Sequence, residues 1–439
     1  MLETVMDEIE IKKYPAYKDA GVEWLGEIPA HWENIRMKHL FQDVSIKKKG
    51  EAELLSVTQD QGVVPRTWVE NRMVMPSGAL DSFKFISKGD FAISLRSFEG
   101  GLEYCHHDGI ISPAYTVLKA KRKFDSQFFK YLFKSTAFIS ELQTSVVGIR
   151  QGKNISFEEL AYSFLPIPSP AEQTAIANFL DRKTALIDQA IGIKEKQIGL
   201  LKERRQILIH RAVTRGLNPN AKMKDSGVEW IGEIPERWEL IPIRRMVDVR
   251  DGTHDTPIYV NDGIGTYPLV TSKDFEGERI NFENIKRISE RDYINISKRS
   301  GVAKGDVLMS MIGGNIGKSV IVEDNYQFAI KNVALFKTSG NLSLAKFIKY
   351  YFESGLLQRQ IELKSRGGAQ GFLSLGDIRN LHFFKIPASE LNEIVAFLKV
   401  TISEKFDRTT LLKQQEIEKL KEYKASLINS AVTGKIKVI

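Results

Sequence analysis

GVEWLGEIPAHWE occupies residues 21–33, and GVEWIGEIPERWE occupies residues 227–239; only Leu25/Ile231, Ala30/Glu236 and His31/Arg237 differ. The box belongs to a larger duplication. Asp19 and Asp225 stand 206 positions apart, Lys88-Gly89-Asp90 recurs 216 positions on at Lys304-Gly305-Asp306, and FKYLFKS at 129–135 recurs 219 positions on as IKYYFES at 348–354. Gln151-Gly152 meets Gln370-Gly371, and Ala212-Val213-Thr214 meets Ala431-Val432-Thr433, again at 219. The offset grows as insertions between two diverged copies make it grow. Two copies of about 215 residues fill the chain, a period far longer than that of solenoid repeats, so each copy is domain-sized.

Each copy changes texture once. Residues 35–168 and 240–387 are broken by Gly and Pro, with short apolar runs such as FKFISKGDFAISL, AYTVLKA, YPLVTS and AIKNVALFK that read as strands between turns. FDSQFFKYLFKSTAFISELQ and LAKFIKYYFESGLLQRQIE read as helices among them. Residues 170–216 and 388–434 lack internal proline and are rich in Leu, Ile, Lys, Glu and Arg, which predicts one long helix per copy. The helices carry heptads. Leu180, Ile187, Lys194, Leu201 and Leu208 form one series, with Thr184, Ile191, Ile198, Arg205 and Ala212 as its companion. Phe406, Lys413, Leu420 and Leu427 repeat the first series, and Thr410, Ile417, Lys424 and Ala431 the second. Alternating steps of four and three are what a coiled-coil seam requires, and two matching seams in one molecule favour mutual pairing over separate packing.

The expected fold is therefore α+β: two tandem mixed α/β domains, each followed by a long helix, the helices pairing as an antiparallel coiled coil. The expected boundaries are 1–170, 171–217, 218–388 and 389–439. Roughly 40 helical residues make a rod of about 60 Å, long enough to act as a ruler between two modules.

Composition narrows the function. A chain of 439 residues exceeds one ordinary core, and 42% hydrophobic with 27% charged residues is a globular balance. No apolar run reaches the roughly 20 residues of a membrane span, and the acidic start MLETVMDEIE is unlike a signal peptide, which points to the cytoplasm without membrane attachment. The one cysteine, Cys105, excludes an internal disulfide framework and a Cys-rich zinc site. A net charge of +8 favours an anionic partner, nucleic acid first.

The doubled GVEWxGEIPxxW box, the KGD strand, the Gln-Gly motif before an Ile-Pro exit, and the helix QxxIxxFLD…IxxKxxxIxxLKExRxxLIxxAVT together resemble the specificity subunit of type I restriction-modification systems. The resemblance covers essentially the whole chain, twice. It implies two target recognition domains reading the halves of a split asymmetric site in double-stranded DNA, separated by two antiparallel helices. It further implies docking of two adenine-N6 methyltransferase subunits, which carry S-adenosylmethionine, and recruitment of motor and nuclease subunits. No cofactor is expected in this chain itself.

Motifs for independent chemistry are absent or incomplete. Asn218-Pro219-Asn220 lacks the second proline and the aromatic residue of an adenine methyltransferase motif. Ile312 replaces the first glycine of a phosphate loop ahead of Gly317-Lys318-Ser319. Cys105, His106 and His107 are adjacent rather than spaced for tetrahedral metal ligation. Asp251, His254 and Asp255 read better as a polar turn than as an acid-base or metal cluster.

The candidate DNA contacts are polar loop residues beside glycines. In the first copy these are Thr58, Gln59, Arg96, Ser97, Arg150, Gln151 and Lys153; in the second, Thr253, His254, Thr256, Ser272, Lys273, Asn315, Arg366 and Gln370. Arg suits guanine O6 and N7, Gln suits adenine N6 and N7, and Lys chiefly meets phosphate. Trp24, Trp32, Trp230 and Trp238 are expected at the joint between helix and globule, in a structural role. Two other readings compete with a recognition subunit: a methyltransferase or nuclease acting alone, and a helical scaffold without sequence-specific DNA binding.

Overall fold

The computed structural model describes residues 12–69, 80–94, 97–144, 146–147, 154–364 and 372–438. The chain is mixed α/β and divides into two compact units. The first comprises Met1–Glu195 and Gln414–Ile439, the second Lys196–Lys413. Both long helices are thus cut near their midpoints, each unit taking half of each, where the sequence placed the boundaries at the helix ends.

In the first unit an antiparallel sheet runs in the order Phe41–Val44, Thr116–Ala120, Phe91–Ile93, Glu103–Tyr104. The helices Ser126–Leu132 and Thr136–Thr144 contribute Phe128, Phe129 and Phe138, which with Phe41, Phe91 and Phe133 make a fully buried aromatic core. Edge-to-face contacts such as Phe91 on Phe133, with centroids 4.8 Å apart, are the favoured ring geometry. Apolar spacing in FKYLFKSTAF places those rings on one side of each helix, and Asp125 caps the first by accepting from Gln127 N.

The second unit repeats the sheet as Asp248–Asp251, Val333–Lys337, Val307–Ser310, Ser319–Ile321, with helices Leu342–Glu353 and Leu356–Lys364. The KGD strands enter alike. An Asp90 carboxylate oxygen accepts from Ser87 N at 3.0 Å, and one of Asp306 accepts from Ala303 N at 2.8 Å. Ahead of its KGD strand the second unit also has a sheet ordered Arg287–Ser289, Thr266–Val270, Ala329–Ile330 and the helix Glu290–Arg299.

The doubled box is a lock on helix ends. In the first unit Tyr17–Asp19 pairs with Glu27–Pro29, and in the second Met223–Asp225 pairs with Glu233–Pro235 in the same register. The chain then turns into a fully buried tryptophan. Trp32 Nε1 donates to Glu172 at 3.3 Å, and Trp238 Nε1 donates to Glu390 at 2.8 Å, each acceptor lying in the first turn of a long helix. The far ends of the long helices touch the same rings. A Cβ on Gly434 would lie 3.0 Å from Trp32 and 2.3 Å from Pro29, and one on Gly216 would lie 3.3 Å from Trp238.

The first long helix is α throughout, Pro170–Arg215. The sequence predicts one α-helix for the second as well, but it passes from α-helix Ala388–Val400 through π-helix Thr401–Asp407 to α-helix Arg408–Val432. The tryptophan partners Glu172 and Glu390 are 218 apart, whereas Asp188 and Asp407 are 219 apart. One extra residue therefore enters the second helix between them. The wider π turn absorbs it without rotating the following seam off its face.

Within the first unit Leu180, Thr184, Ile187, Leu420 and Leu427 are buried in or beside one core, and Ile417 is buried too. Residues 191–208, including Ile191, Ile198, Leu201 and Leu208, are half-buried or exposed. Three of the basic seam positions, Lys194, Arg205 and Lys424, meet acids. Lys194 pairs with Glu416, and Lys424 with Asp188 at 2.7 Å. Within the second unit, where Phe406 is buried, Arg205 pairs with Glu353 at 2.8 Å and with Asp407 at 3.8 Å. Asp188–Lys424 and Asp407–Arg205 are the same pair under the offset of 219.

Candidate nucleic-acid interface

In the first unit the strands Leu55–Thr58 and Gly62–Pro65 form a hairpin whose tip is exposed. Thr58 is occupied at its base: Oγ1 donates to Gly62 O at 2.9 Å and accepts from Gln61 N at 3.1 Å. Gln59 is exposed at the tip, against Gly100. Ser97 is fully buried, and its hydroxyl accepts from Ser94 N at 2.8 Å. It is a turn-closing residue, and this corrects its place among surface contacts. The helix Ser97–Gly100 packs against the short strand Asn154–Ile155, which pairs with Val146–Val147. The hairpin tip, the 97–100 helix and the strand ends flanking 148–153 therefore gather on one side of this unit. Arg96, Arg150, Gln151 and Lys153 lie outside the described residues.

The second unit gathers more of its candidates. Thr253 bridges to Lys331, and Lys331 N donates to Val270 O, so the stretches beginning at 253, 271 and 331 leave neighbouring strand ends. Asp251 is buried and holds three elements together. One carboxylate oxygen meets Arg299 from the helix Glu290–Arg299, and the other lies 3.0 Å from His254 Nε2. His254 Nδ1 lies 3.0 Å from the Asn332 amide, at a residue with φ +54°. Both ring nitrogens are engaged, which makes His254 a strut for the loop. Thr253 Oγ1 accepts from Asp255 N at 3.2 Å, and Thr256 Oγ1 meets the Lys331 ammonium. Thr271 and Asp274 form a capping box over Ser272–Asp274, leaving Lys273 exposed and Ser272 half-buried.

Ile312 bridges to Phe372, whose ring centroid is 6.2 Å from that of His254. Asn315 ends the short turn Gly313–Asn315 beside them. Arg366 and Gln370 lie outside the described residues, in the stretch between Lys364 and Phe372.

The motifs set aside in the sequence have structural occupations. Lys318 Nζ donates to Phe275 O at 2.6 Å. Cys105 is buried, its thiol donates to His107 O at 3.0 Å, and burial pushes it up to about 12. Among the described residues no cluster of His, Cys, Asp or Glu is placed to hold a metal ion, and no helix is long and apolar enough to cross a membrane.

Comparison with known proteins gives one consistent answer. Residues 235–422 match the family model for the type I restriction modification DNA specificity domain. The chain is 23% identical over 427 residues to the type I restriction enzyme MjaVIII specificity subunit of Methanocaldococcus jannaschii, covering 94% of each chain. It is 24% identical to the EcoBI specificity subunit of Escherichia coli, over 73% of this chain and 68% of that one.

The chain is thus similar over nearly its whole length to type I restriction enzyme specificity subunits, and its second half matches their DNA specificity domain. Its fold agrees with solved structures. A structure described as underlying complex assembly and conformational transition of the type I R-M system superposes with a TM-score of 0.68 at 14% identity, covering 92% of this chain and 98% of that one. The HsdS subunit of Thermoanaerobacter tengcongensis gives 0.50 at 16% identity, covering 93% and 98%.

The residues that sequence reading missed are the supports of the loops. Arg299, Lys331 and Asn332 brace the 251–256 loop of the second unit, and Lys134 and Glu103 brace the hairpin of the first. Their sequence separations of 31 to 78 residues carry no local pattern, and only the tertiary fold brings them together.

Proposed function

We propose that this chain reads a bipartite, asymmetric site in double-stranded DNA, one half-site per unit, and serves as the specificity subunit of a restriction-modification complex. The observation that carries this reading is a contrast between repeated and private parts. The tryptophan lock, the KGD turn and the Asp188–Lys424 and Asp407–Arg205 pairs are the same in both units, whereas the loops at the polar edges differ in length, sequence and support. A frame that repeats while its tips diverge is what two unlike half-sites require of one scaffold.

The helix pairs support an antiparallel coiled coil joining two tandem recognition domains, since 188 with 424, 194 with 416 and 205 with 407 give sums of 612, 610 and 612. In this reading the chain contributes no catalytic group. Two adenine-N6 methyltransferase subunits dock on the helical frame and bring S-adenosylmethionine, motor and nuclease subunits join the assembled complex, and the complex works in the cytoplasm.

Co-expression with methyltransferase subunits of the same system, followed by methylome sequencing, tests the proposal. Adenine methylation at a split motif should depend on this chain and be absent when it is expressed alone. Robust methyl transfer by the purified chain would favour the enzyme reading instead.

A further inference from the structure

In the first unit Lys134 Nζ lies 2.7 Å from both carboxylate oxygens of Glu103 and donates at 3.0 Å to the backbone carbonyl of Gln59, at the hairpin tip. Glu103 is fully buried, on the strand beside Phe91–Ile93. Gly62, at the other base of the turn, comes so close to that strand that a Cβ there would lie 2.6 Å from Tyr104 O.

We propose that Lys134 and Glu103 are positioning residues for half-site reading, a charged clamp that fixes the 58–62 turn against the core so that its side chains meet DNA in one register. This rests on the reading of that turn as a DNA contact.

Two arguments support the clamp. Burying a carboxylate and an ammonium together usually gives less stability than an apolar pair of the same volume, so the pair's advantage is in geometry rather than in net stability. The clamp is also private to the first unit. At the matched positions the second unit has Val320 and Glu353, and Glu353 is turned to Arg205 at 2.8 Å and Lys349 at 3.4 Å. It therefore sorts with the divergent tips and not with the shared frame.

Charge state gives a signature that mere packing lacks. Burial pushes Glu103 up to about 7 against the pull of Lys134, with Asp60 adding to the rise. A carboxyl raised in the folded state adds stability that is full below its ordinary value and is lost as pH climbs through about 7. The ionised clamp behaves oppositely, closing as pH rises and opening as it falls. First-unit stability and first-half-site fidelity should therefore move in opposite directions across neutral pH.

The test uses the full chain reconstituted with its methyltransferase subunits, methylating a random DNA library between about pH 6 and pH 8.5, with motifs read by sequencing and stability by calorimetry. Lys134→Met should lower selectivity about tenfold at positions of one half-site, the same positions altered by Gln59→Ala with Gln61→Ala, and leave the other half-site intact. Lys134→Arg should restore part of the loss. Wild-type fidelity at that half-site should fall as pH drops through about 7, while Glu103→Gln should be low and flat.

An unchanged motif for Lys134→Met, equal damage to both half-sites, or fidelity that follows stability would overturn the clamp. If the turn variants themselves leave the half-site unchanged, the turn is not a reader, and the proposal fails at that earlier step.

Discussion

The two tryptophan locks and the two loop edges are opposite outcomes of one duplication. Around Trp32 and Trp238 the units keep the same strand register, the same buried ring and the same donation to a glutamate in the first turn of a helix. At the edges the described supports differ: a charged pair under a hairpin in one unit, an Asp-His-Asn brace with Arg299 in the other. Buried, ring-filled contacts tolerate little change because a missing ring leaves a cavity, whereas an exposed tip is held only by what its support demands.

The largest expected effect tests the equality of the locks. Trp32→Ala and Trp238→Ala should each destabilise their own unit by about 3–5 kcal/mol, within about 1 kcal/mol of each other, as buried aromatic truncations. Calorimetry with limited proteolysis would show which unit opens. A tolerated substitution at one site alone would break the equivalence. Gly434→Ala and Gly216→Ala sharpen it. Both glycines have positive φ, yet the new methyl would overlap Pro29 in the first case and only graze Trp238 in the second. The Gly434 variant should lose about 1–3 kcal/mol more.

The edges should separate cleanly by half-site. Replacing Arg150 and Gln151 with Ala should relax one half of the methylation motif, and replacing Arg366 and Gln370 should relax the other, at about 1–3 kcal/mol for each base-reading side chain removed. Damage shared between both halves in the methylome would break the claim of independent readers. Asp251→Asn offers a finer cut. It loosens Arg299 and His254 together, so it should blur the same half-site as the Arg366 variant at about 1–3 kcal/mol, with the first half-site as internal control.

The frame was legible because it is written twice. The box, the KGD turn and the long helices announce themselves by repetition, and the start of the first helix at Pro170 follows from a proline opening an uninterrupted run of helix formers. The π segment was hidden because an offset of 219 holds before and after it, while Glu172 and Glu390 show the slip to 218 only once the tryptophans reveal them as partners. The candidate edge was half legible. Polar loops beside glycines pointed to 58–59 and 253–256, but a composition rule puts Ser97 at the surface where the fold buries it to close a turn. The same rule sees His254 as a base reader where both ring nitrogens are engaged.

The smallest expected effect probes whether the two copies are electrostatically alike. Asp188 and Asp407 occupy matched positions and face matched cations, yet their surroundings differ. Lys424 lies 2.7 Å from Asp188, whereas Arg205 is 3.8 Å from Asp407 and is shared with Glu353. Asp407 is pushed above the ordinary carboxylate range, first by burial, with Glu278 and Glu353 adding to the rise against Arg205 and Lys349. A raised carboxyl adds stability at low pH that disappears as pH rises through its folded-state value, so at neutral pH its charge is a burden on the fold. Asp188→Asn should cost up to about 1 kcal/mol, the usual range for an exposed pair. Asp407→Asn should be neutral or slightly stabilising at neutral pH, and that advantage should vanish in acid. Equal losses for the two variants in urea titrations at pH 7 would show that the second helix keeps the electrostatics of the first, extra residue and π turn included.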